Sequence, residues 1–397
     1  MRVQLNMTFR TPKLSALTSA ALAIPGLAHA ELQTDYLYSH YAEGDLPAGN
    51  SASGSASERY TIDSHLFRVG GNLGAGDANL NLTLETMSGA SPWWVQPDAN
   101  GKPVQVMSGA SIDEERVDIE ASYGMQFGPI EPVFKAGYSS EEDYQSVNVG
   151  VEAQYTPEGG VYSASAGIGY SDDRIEPTDG GSAKYPDRIR SADKNSLTAY
   201  AGLSWIIDAQ TVLQTVFSYS LHDGYLTDPY KRAYFVSVAN AVPESRPDGR
   251  QSWTLSARWR HYLPALAAAV HVDYRYFQDD WEIESHTVDL SWQQRLGETW
   301  LVSPSLRWYS QSQAYFYAPY YADFREDGFA SSDYRLSPFG ALSARLDVRK
   351  SLDQHWEVGG GVEVYDASAS YAIRPVDVEN PGLVEYYSVQ ARVNYRF

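Results

Sequence analysis

The sequence predicts an all-β protein whose strands close into a transmembrane antiparallel β-barrel of about sixteen strands. Three observations carry this prediction. The C-terminal residues alternate between apolar and polar side chains, similar alternating segments recur along the chain, and the connections between segments are alternately long and short. This combination is typical of membrane-spanning barrels with short periplasmic turns and long external loops.

The C-terminal segment shows the alternation most clearly. From Tyr387 every second residue is apolar or aromatic, and the chain stops at Phe397. The residues between are polar or charged: Ser388, Gln390, Arg392, Asn394 and Arg396. Because successive side chains of a strand point to opposite faces, one face is apolar and the other polar. This is the pattern of a transmembrane strand of about 9–11 residues. We expect the barrel assembly machinery to recognise this strand, which ends at Phe397, and outer-membrane lipid to cover its apolar face.

The first thirty residues have the pattern of a secretory signal peptide. Arg2, Arg10 and Lys13 are basic, Leu14 to Ile24 is apolar but too short to span a bilayer, and Ala28-His29-Ala30 fits a cleavage site. The predicted organisation is therefore a signal peptide, 1–30, followed by one barrel, 31–397. The predicted location is the outer membrane of a Gram-negative bacterium, after cleavage near Ala30.

Composition excludes several classes of function. Removal of the three basic residues of the signal leaves 27 basic against 50 acidic side chains, a net charge of −23, which argues against a nucleic-acid partner. The chain has no cysteine, so disulfides and thiolate metal sites are impossible. Its 30 tyrosines and 10 tryptophans suit the two membrane–water interfaces.

The first eight alternating segments occupy the N-terminal half of the chain. They lie near 35–43, 58–73, 77–92, 112–127, 130–144, 146–156, 161–175 and 197–207. In the third, Leu80, Leu82 and Leu84 alternate with polar residues. In the eighth, the alternation runs from Leu197 to Ile207. Each has the period of two that a strand requires.

The second eight segments follow the same rule. They lie near 211–226, 253–260, 270–277, 285–296, 300–317, 334–349, 355–371 and 384–397. The connections after even segments are short, and those after odd segments are mostly long: 44–57, 93–111, 176–193, 227–249, 318–333 and 372–383. Two connections after odd segments are short. Since external loops are longer than periplasmic turns, both termini are expected in the periplasm.

The polar faces predict an uneven charge distribution across the lumen. Segments three to six contribute acidic residues there: Glu85, Asp118, Glu120 and Glu152. Segments ten to sixteen contribute arginines: Arg258, Arg260, Arg275, Arg307, Arg345, Arg349 and Arg392. Such walls set the selectivity of pores. The alternative is a filled lumen in which salt bridges across the barrel satisfy these charges.

Two groups of residues near the external rim suggest other chemistry. His222-Asp223 and Asp279-Asp280 could activate water as catalytic residues of a barrel hydrolase, although such pairs are common near loops. No catalytic serine, zinc or phosphate-loop motif is present. We expect no enzymatic activity and no bound cofactor.

The run Glu141-Glu142-Asp143 could hold a loop-bound Ca²⁺ with loop carbonyls. A solvated acidic loop accounts for the same run. Its spacing matches no known calcium loop.

Several strings, taken in order, resemble the bacterial outer-membrane family catalogued as domain-of-unknown-function family 3570. They are Ser88 to Pro92, Glu141 to Tyr144, Gly224 to Lys231, Tyr274 to Trp281, Ser285 to Thr287, Tyr309 to Tyr317 and Asp333 to Ser337. The resemblance spans nearly the whole mature chain. It implies an outer-membrane β-barrel, and it supplies no catalytic residues. It also hints at a periplasmic lipoprotein partner, because family members are often encoded near one.

The sequence therefore predicts an outer-membrane barrel for passage or docking of a small solute. A barrel hydrolase at the external rim and a structural or adhesive surface barrel are the alternatives.

Overall fold

The predicted fold class is confirmed: sixteen strands form a closed antiparallel barrel. A computed structural model of the chain describes residues 32–108 and 112–397, so the predicted signal peptide lies outside the described residues. None of the helical turns in this part of the chain has the length and apolarity that a membrane crossing requires.

The part of the chain that the structure describes forms twenty strands, and four of them lie in loops outside the barrel. The first ten are β1 (Gln33–Glu43), β2 (Thr61–Leu73), β3 (Gly76–Gly89), β4 (Pro92–Pro97), β5 (Pro103–Met107), β6 (Ile112–Met125), β7 (Ile130–Ser140), β8 (Tyr144–Tyr155), β9 (Tyr162–Ile175) and β10 (Ala192–Asp208). The others are β11 (Thr211–Gly224), β12 (Arg232–Phe235), β13 (Asn240–Pro243), β14 (Gly249–Leu263), β15 (Ala268–Asp279), β16 (Glu284–Leu296), β17 (Trp300–Gln311), β18 (Phe339–Ser351), β19 (Trp356–Ser368) and β20 (Glu385–Arg396). Short 3-10 turns occupy Ala48–Asn50, Val236–Val238, Pro264–Leu266, Tyr334–Leu336 and Ala369–Tyr371.

The barrel closes between its first and last strands. β1 pairs with β20 from Gln33 opposite Arg396 to Glu43 opposite Tyr386. Each barrel strand is thereby hydrogen-bonded on both sides. This matters because hydrocarbon offers no partner to a free backbone N–H or C=O.

The predicted alternation sets the two faces of the wall. Apolar side chains point outward and stay exposed on the isolated chain, for example Leu306 at 62%, Val364 at 57% and Trp205 at 53%. Exposure of this kind is unfavourable in water and suits contact with lipid. The residues between them, including the predicted acidic residues and arginines, point into the lumen.

The connections follow the predicted long and short alternation. β10 and β11 are joined by two residues, 209–210, whereas β17 and β18 are separated by residues 312–338. At the periplasmic end after β14, Ala267 adopts φ 48° to close a 3-10 turn, an unusual conformation for a residue other than glycine.

Four details of the sequence prediction were wrong. The thirteenth predicted segment ends as a strand at Gln311, and the fourteenth begins at Phe339. The predicted loops 93–111 and 227–249 contain the hairpins β4–β5 and β12–β13. In each case an apolar stretch packs against other loops, so its alternation does not report a lipid-facing wall.

Five external loops pack into one body, which we call the cap: 44–60, the described part of 90–111, 225–248, 312–338 and 369–384. One apolar cluster at its centre contains Phe316 and Leu336 and is joined by Trp281 from the turn between β15 and β16. A second cluster contains Phe235 and Tyr321. Burial of each large apolar side chain contributes about 1.5–3 kcal/mol. The cap is therefore a folded layer.

Hydrogen bonds tie the loops of the cap to one another. Val95 N–H donates to Ser332 Oγ at 3.1 Å, and Lys231 Nζ donates to the carbonyl of Pro92 at 2.7 Å. Asn380 Nδ2 donates to the hydroxyl of Tyr317 at 2.9 Å. These bonds connect segments far apart in sequence, so alternation along the chain could not predict them.

Candidate functional site

A continuous row of charges crosses four neighbouring strands on the lumen side. Arg258 on β14 is directly opposite Asp273 on β15, Asp273 is opposite Asp289 on β16, and Asp289 is opposite Arg307 on β17. Each strand contributes one inward residue at the same level. Two carboxylates therefore stand side by side, with arginines on either side of them.

The arginines of this region are unequally paired. Arg307 Nε donates to Asp289 at 3.0 Å, and Arg260 donates to both oxygens of Asp273. Arg258 has only a 3.4 Å contact with the amide oxygen of Gln214. Arg275, one level nearer the outside, has no hydrogen-bond or ion-pair partner among the residues that the structure describes.

A second arginine cluster surrounds Asp347 on β18. Arg349 Nε lies 3.1 Å and Arg345 Nη2 lies 3.5 Å from this carboxylate, and Arg392 reaches it from β20. β19 lies between β18 and β20, and its Gly361 faces the lumen. A Cβ there would lie 3.2 Å from Asp347 Oδ2. A Cβ at Gly359, on the same face, would lie 3.2 Å from Arg392 Cγ, so the two glycines leave room for Arg392 to cross.

We call the inward arginines on β14–β20 the arginine wall, and the inward acidic residues on β3–β8 the acidic wall. On the acidic wall, Arg116 lies 3.2 Å from Glu85 and 3.8 Å from Asp118. Lys135 lies 3.0 Å from Glu152. Glu120 faces the lumen from β6 opposite Asn81 and Gly137.

Ion pairs within the described barrel strands join residues of one strand, of neighbouring strands, or of strands two apart. Lys135–Glu152 joins β7 to β8, Arg260–Asp273 joins β14 to β15, and Arg392–Asp347 spans one intervening strand. Within this part of the chain, none joins opposite walls. The paired charges of the described strands therefore lie along the walls.

An inner cavity of 580 Å³ lies against the arginine wall beneath the cap. Its charged lining residues are Arg258, Arg275, Arg307, Arg335, Asp273 and Asp289. Hydroxyl, amide and aromatic groups complete the lining, among them Tyr309, Gln311 and Phe339. Four guanidinium groups against two carboxylates leave a surplus of positive charge, so this cavity suits an anionic group.

Arg335 belongs to the cap, in the 3-10 turn Tyr334–Leu336. Its guanidinium donates to Asp333, with Nε 2.8 Å from Oδ2, and its Nη2 lies 3.1 Å from Asp228. Asp333 is buried and also accepts from Arg246 at 2.8 Å. Burial alone would raise the pKa of Asp333. The neighbouring cations, Arg335 first among them, outweigh burial and hold that pKa well below its ordinary value.

An outer cavity of 420 Å³ lies on the external side of this turn. Its acidic lining residues are Asp113, Glu114, Glu142, Asp143, Asp179 and Asp228, and its cationic ones are Lys184, Arg188, Lys231 and Arg335. Arg188 is stacked on the rings of Tyr185 and Tyr230, at 4.0 and 4.6 Å from their centroids. Acidic residues therefore outnumber cationic ones in the lining of the outer cavity, whereas cationic residues outnumber acidic ones in the inner cavity.

The acidic run proposed for Ca²⁺ contributes to a different trio. Glu141 and Asp143 meet Glu114 of β6, with carboxylate oxygens within 4.8 Å of one another, whereas Glu142 is exposed. Burial raises the pKa of Glu141, and Arg116 opposes this only in part. With one oxygen each, the three carboxylates supply three of the roughly 6–8 oxygens that Ca²⁺ takes.

The structure separates the two residues of the His222-Asp223 pair. His222 points into the lumen, where its Nδ1 lies 2.8 Å from Ser196 Oγ, and Asp223 is exposed on the other face. Sequence reasoning missed Ser196, because it is brought to His222 only by the pairing of β10 with β11. No carboxylate is hydrogen-bonded to this imidazole among the described residues, so it lacks the orienting third group of a nucleophilic triad.

Asp279 and Asp280 each have a structural role. Asp279 is buried, accepts from Arg250 Nε at 2.8 Å, and accepts the backbone N–H of Ile283 at 2.8 Å in the turn after β15. Asp280 is exposed and accepts the N–H of Gln251 at 3.0 Å. The two carboxylates therefore do not converge on one water molecule.

The profile of a family described as "Protein of unknown function (DUF3570)" matches residues 14–396. No curated protein has a matching sequence.

Among solved structures, the siderophore receptor PirA from Pseudomonas aeruginosa is 10% identical with a TM-score of 0.43, over 85% of this chain and 56% of that chain. This chain thus spans just over half the length of that receptor. A bacterial polysaccharide outer membrane secretin is 12% identical with a TM-score of 0.48, over 93% of this chain and 99% of that one. The CymD monoaromatic hydrocarbon channel is 9% identical with a TM-score of 0.42, over 92% and 88%. Likenesses of this level concern fold and carry nothing about substrate.

Proposed function

This chain belongs to the family described as "Protein of unknown function (DUF3570)", and we propose that it is an outer-membrane passage for small solutes that carry an anionic group. The observation that carries the proposal is the surplus of guanidinium groups in the inner cavity. Arg258 and Arg275 line this cavity without a carboxylate partner among the described residues. A solute carboxylate or phosphate supplies the missing acceptor.

The size and setting of the inner cavity support this proposal. Its 580 Å³ falls within the range of about 300–1,000 Å³ that small-molecule sites occupy. Charges on a low-dielectric wall also raise the local concentration of an oppositely charged solute. The protein's overall negative charge does not oppose this, because the field inside a lumen depends on the side chains that line it.

Swelling of proteoliposomes tests the proposed passage. Gluconate, glucose and glucosamine are similar in size and differ in charge, so their rates isolate the electrostatic contribution. We expect gluconate to enter fastest and glucosamine slowest. Vesicles without protein and vesicles with heat-denatured protein are the controls.

Two outcomes would contradict the proposal. Equal rates for the three solutes would mean that the barrel is a pore without anion preference. Absence of swelling with all three would favour a docking or adhesive barrel, whose loops bind a partner without passing a solute.

A further inference from the structure

The inner and outer cavities share two lining residues, Tyr334 and Arg335. Both belong to the 3-10 turn Tyr334–Leu336, which lies in the cap loop between β17 and β18. The turn is anchored to the barrel, because Gln311 Nε2 donates to the carbonyl of Arg335 at 3.0 Å. The Arg335 side chain remains 54% exposed, so its guanidinium faces open space at the junction of the cavities.

The two carboxylates that hold Arg335 differ in accessibility. Asp333 is buried and is additionally bound by Arg246 and by the backbone N–H of Arg335. Asp228 is partly exposed and contributes one contact at 3.1 Å. An incoming anion can therefore replace Asp228 without disturbing the buried pair. The contacts recorded for Arg335 involve Nε and Nη2, and Nη1 has no acceptor among the described residues.

The other cations of the outer cavity are engaged elsewhere. Lys231 is buried and donates to the carbonyl of Pro92, and Arg188 is stacked between two tyrosine rings while donating to the carbonyl of Thr178 at 2.7 Å. Lys184 lies over the ring of Tyr185 at 4.9 Å. Arg335 is thus the cation of this cavity that also reaches the arginine wall.

We propose that Arg335 is the entry site for the anionic group of the solute. This group binds Arg335 in place of Asp228 before it reaches Arg275 and Arg258. This inference rests on the proposed passage of anionic solutes, and it identifies the residue that first receives their carboxylate or phosphate group. Tyr334 and Arg335 are the two residues that line both described cavities, and Arg335 holds the anionic group there.

Two variants that break the same contact from opposite sides test the proposal. Asp228→Asn removes the carboxylate that competes with the anion for Arg335, and the amide oxygen of the new side chain can still accept the N–H of Tyr230. Arg335→Gln removes the cation. Arg325→Gln is the matched control, because Arg325 lies in the same loop, pairs with Asp327, and lines neither cavity. The measurement is the concentration of inorganic phosphate that halves the KCl current through the mature barrel in a planar bilayer.

Opposite shifts are expected. Asp228→Asn lowers the half-blocking concentration several-fold, Arg335→Gln raises it several-fold, and Arg325→Gln leaves it unchanged. If Arg335 only braced the cap, both variants of the pair would loosen it and shift the block in the same direction, and that result would overturn the proposal.

The remaining outcomes separate this proposal from the proposed passage. A wild-type barrel that conducts with anion preference but is not blocked by phosphate overturns the entry site and leaves the passage intact. A silent wild-type barrel overturns both. If Arg335→Gln does not insert, Asp228→Asn still decides, because an unchanged or weakened block in that variant contradicts the proposal.

Discussion

The acidic wall and the arginine wall arise from the same alternation, yet neighbouring residues neutralise them to different extents. On the acidic wall, Glu85, Asp118 and Glu152 each have a cation within 4.0 Å, whereas Glu120 and Glu114 have none among the described residues, and Glu114 lies beside Glu141 and Asp143 at the external end. On the arginine wall, Arg258 and Arg275 have no carboxylate partner among the described residues, and both line a cavity. A solute therefore meets the charges that the walls leave unpaired, and the total charge of the lumen is a poor guide to selectivity.

Removal of the two unpaired arginines should have the largest effect on this contrast. Each charge contributes about 1 kcal/mol at ~4 Å in a water-like medium, or roughly fivefold, so Arg258→Gln with Arg275→Gln should lower the anion-to-cation permeability ratio by about 25-fold. The ratio is obtained from the reversal potential of single barrels in a KCl gradient.

The control for this double variant is Arg174→Gln, because Arg174 is exposed and pairs with Glu176 at the external end of β9. The control should keep the wild-type ratio. Equal losses in the control and the double variant would mean that net charge, and not the arginine wall, sets selectivity.

Release of a paired arginine should act in the opposite direction. Asp289→Asn leaves Arg307 without its 3.0 Å partner next to the inner cavity, so the permeability ratio should rise, by up to about fivefold. Glu152→Gln is the matched change, because it releases Lys135, which lies eight strands from Arg307 round the barrel. The anion-to-cation permeability ratio should change less in Glu152→Gln than in Asp289→Asn. A larger change there would assign the solute path to the acidic wall.

A higher salt concentration should weaken the contrast between the walls. The screening length falls from about 10 Å at 0.1 M to about 3 Å at 1 M ionic strength, so charges that do not touch the solute lose their influence. The anion preference of the wild type should decline over this range. A preference that stays constant would point to direct coordination or to size as its cause.

The smallest expected effect concerns Glu141, at the external end of the acidic wall. Burial raises its pKa, so its ionised form destabilises the fold above that raised pKa. The penalty disappears as pH falls towards the ordinary value near 4.5. Glu141→Gln should therefore raise the midpoint of thermal unfolding in detergent slightly at neutral pH, and the difference from wild type should vanish in acid. A difference that grows in acid would contradict this sign.

Local alternation predicted the sixteen barrel strands, because each strand must be apolar towards lipid and polar towards the lumen over its own length. It also predicted which face carries Arg258 or Glu152. It could not predict the cap, where Phe316 and Tyr317 looked like a continued strand but are buried among other loops. Burial there depends on contacts between distant segments.

The partners of the lumen charges were equally hidden. Arg392 reaches Asp347 across a whole strand because Gly359 and Gly361 have no side chains, and Arg335 meets both cavities because its loop forms the inner side of the cap. Each depends on barrel register or on loop packing, and neither leaves a local signal in the sequence. Asp333-Tyr334-Arg335 could be found only as part of a string resembling the family.

The reversal potential of the wild-type barrel in a KCl gradient tests the central claim most directly. If the unpaired guanidinium groups of the arginine wall govern the lumen, the potential should shift towards the equilibrium potential of chloride. A shift towards that of potassium, or no shift, would contradict the account.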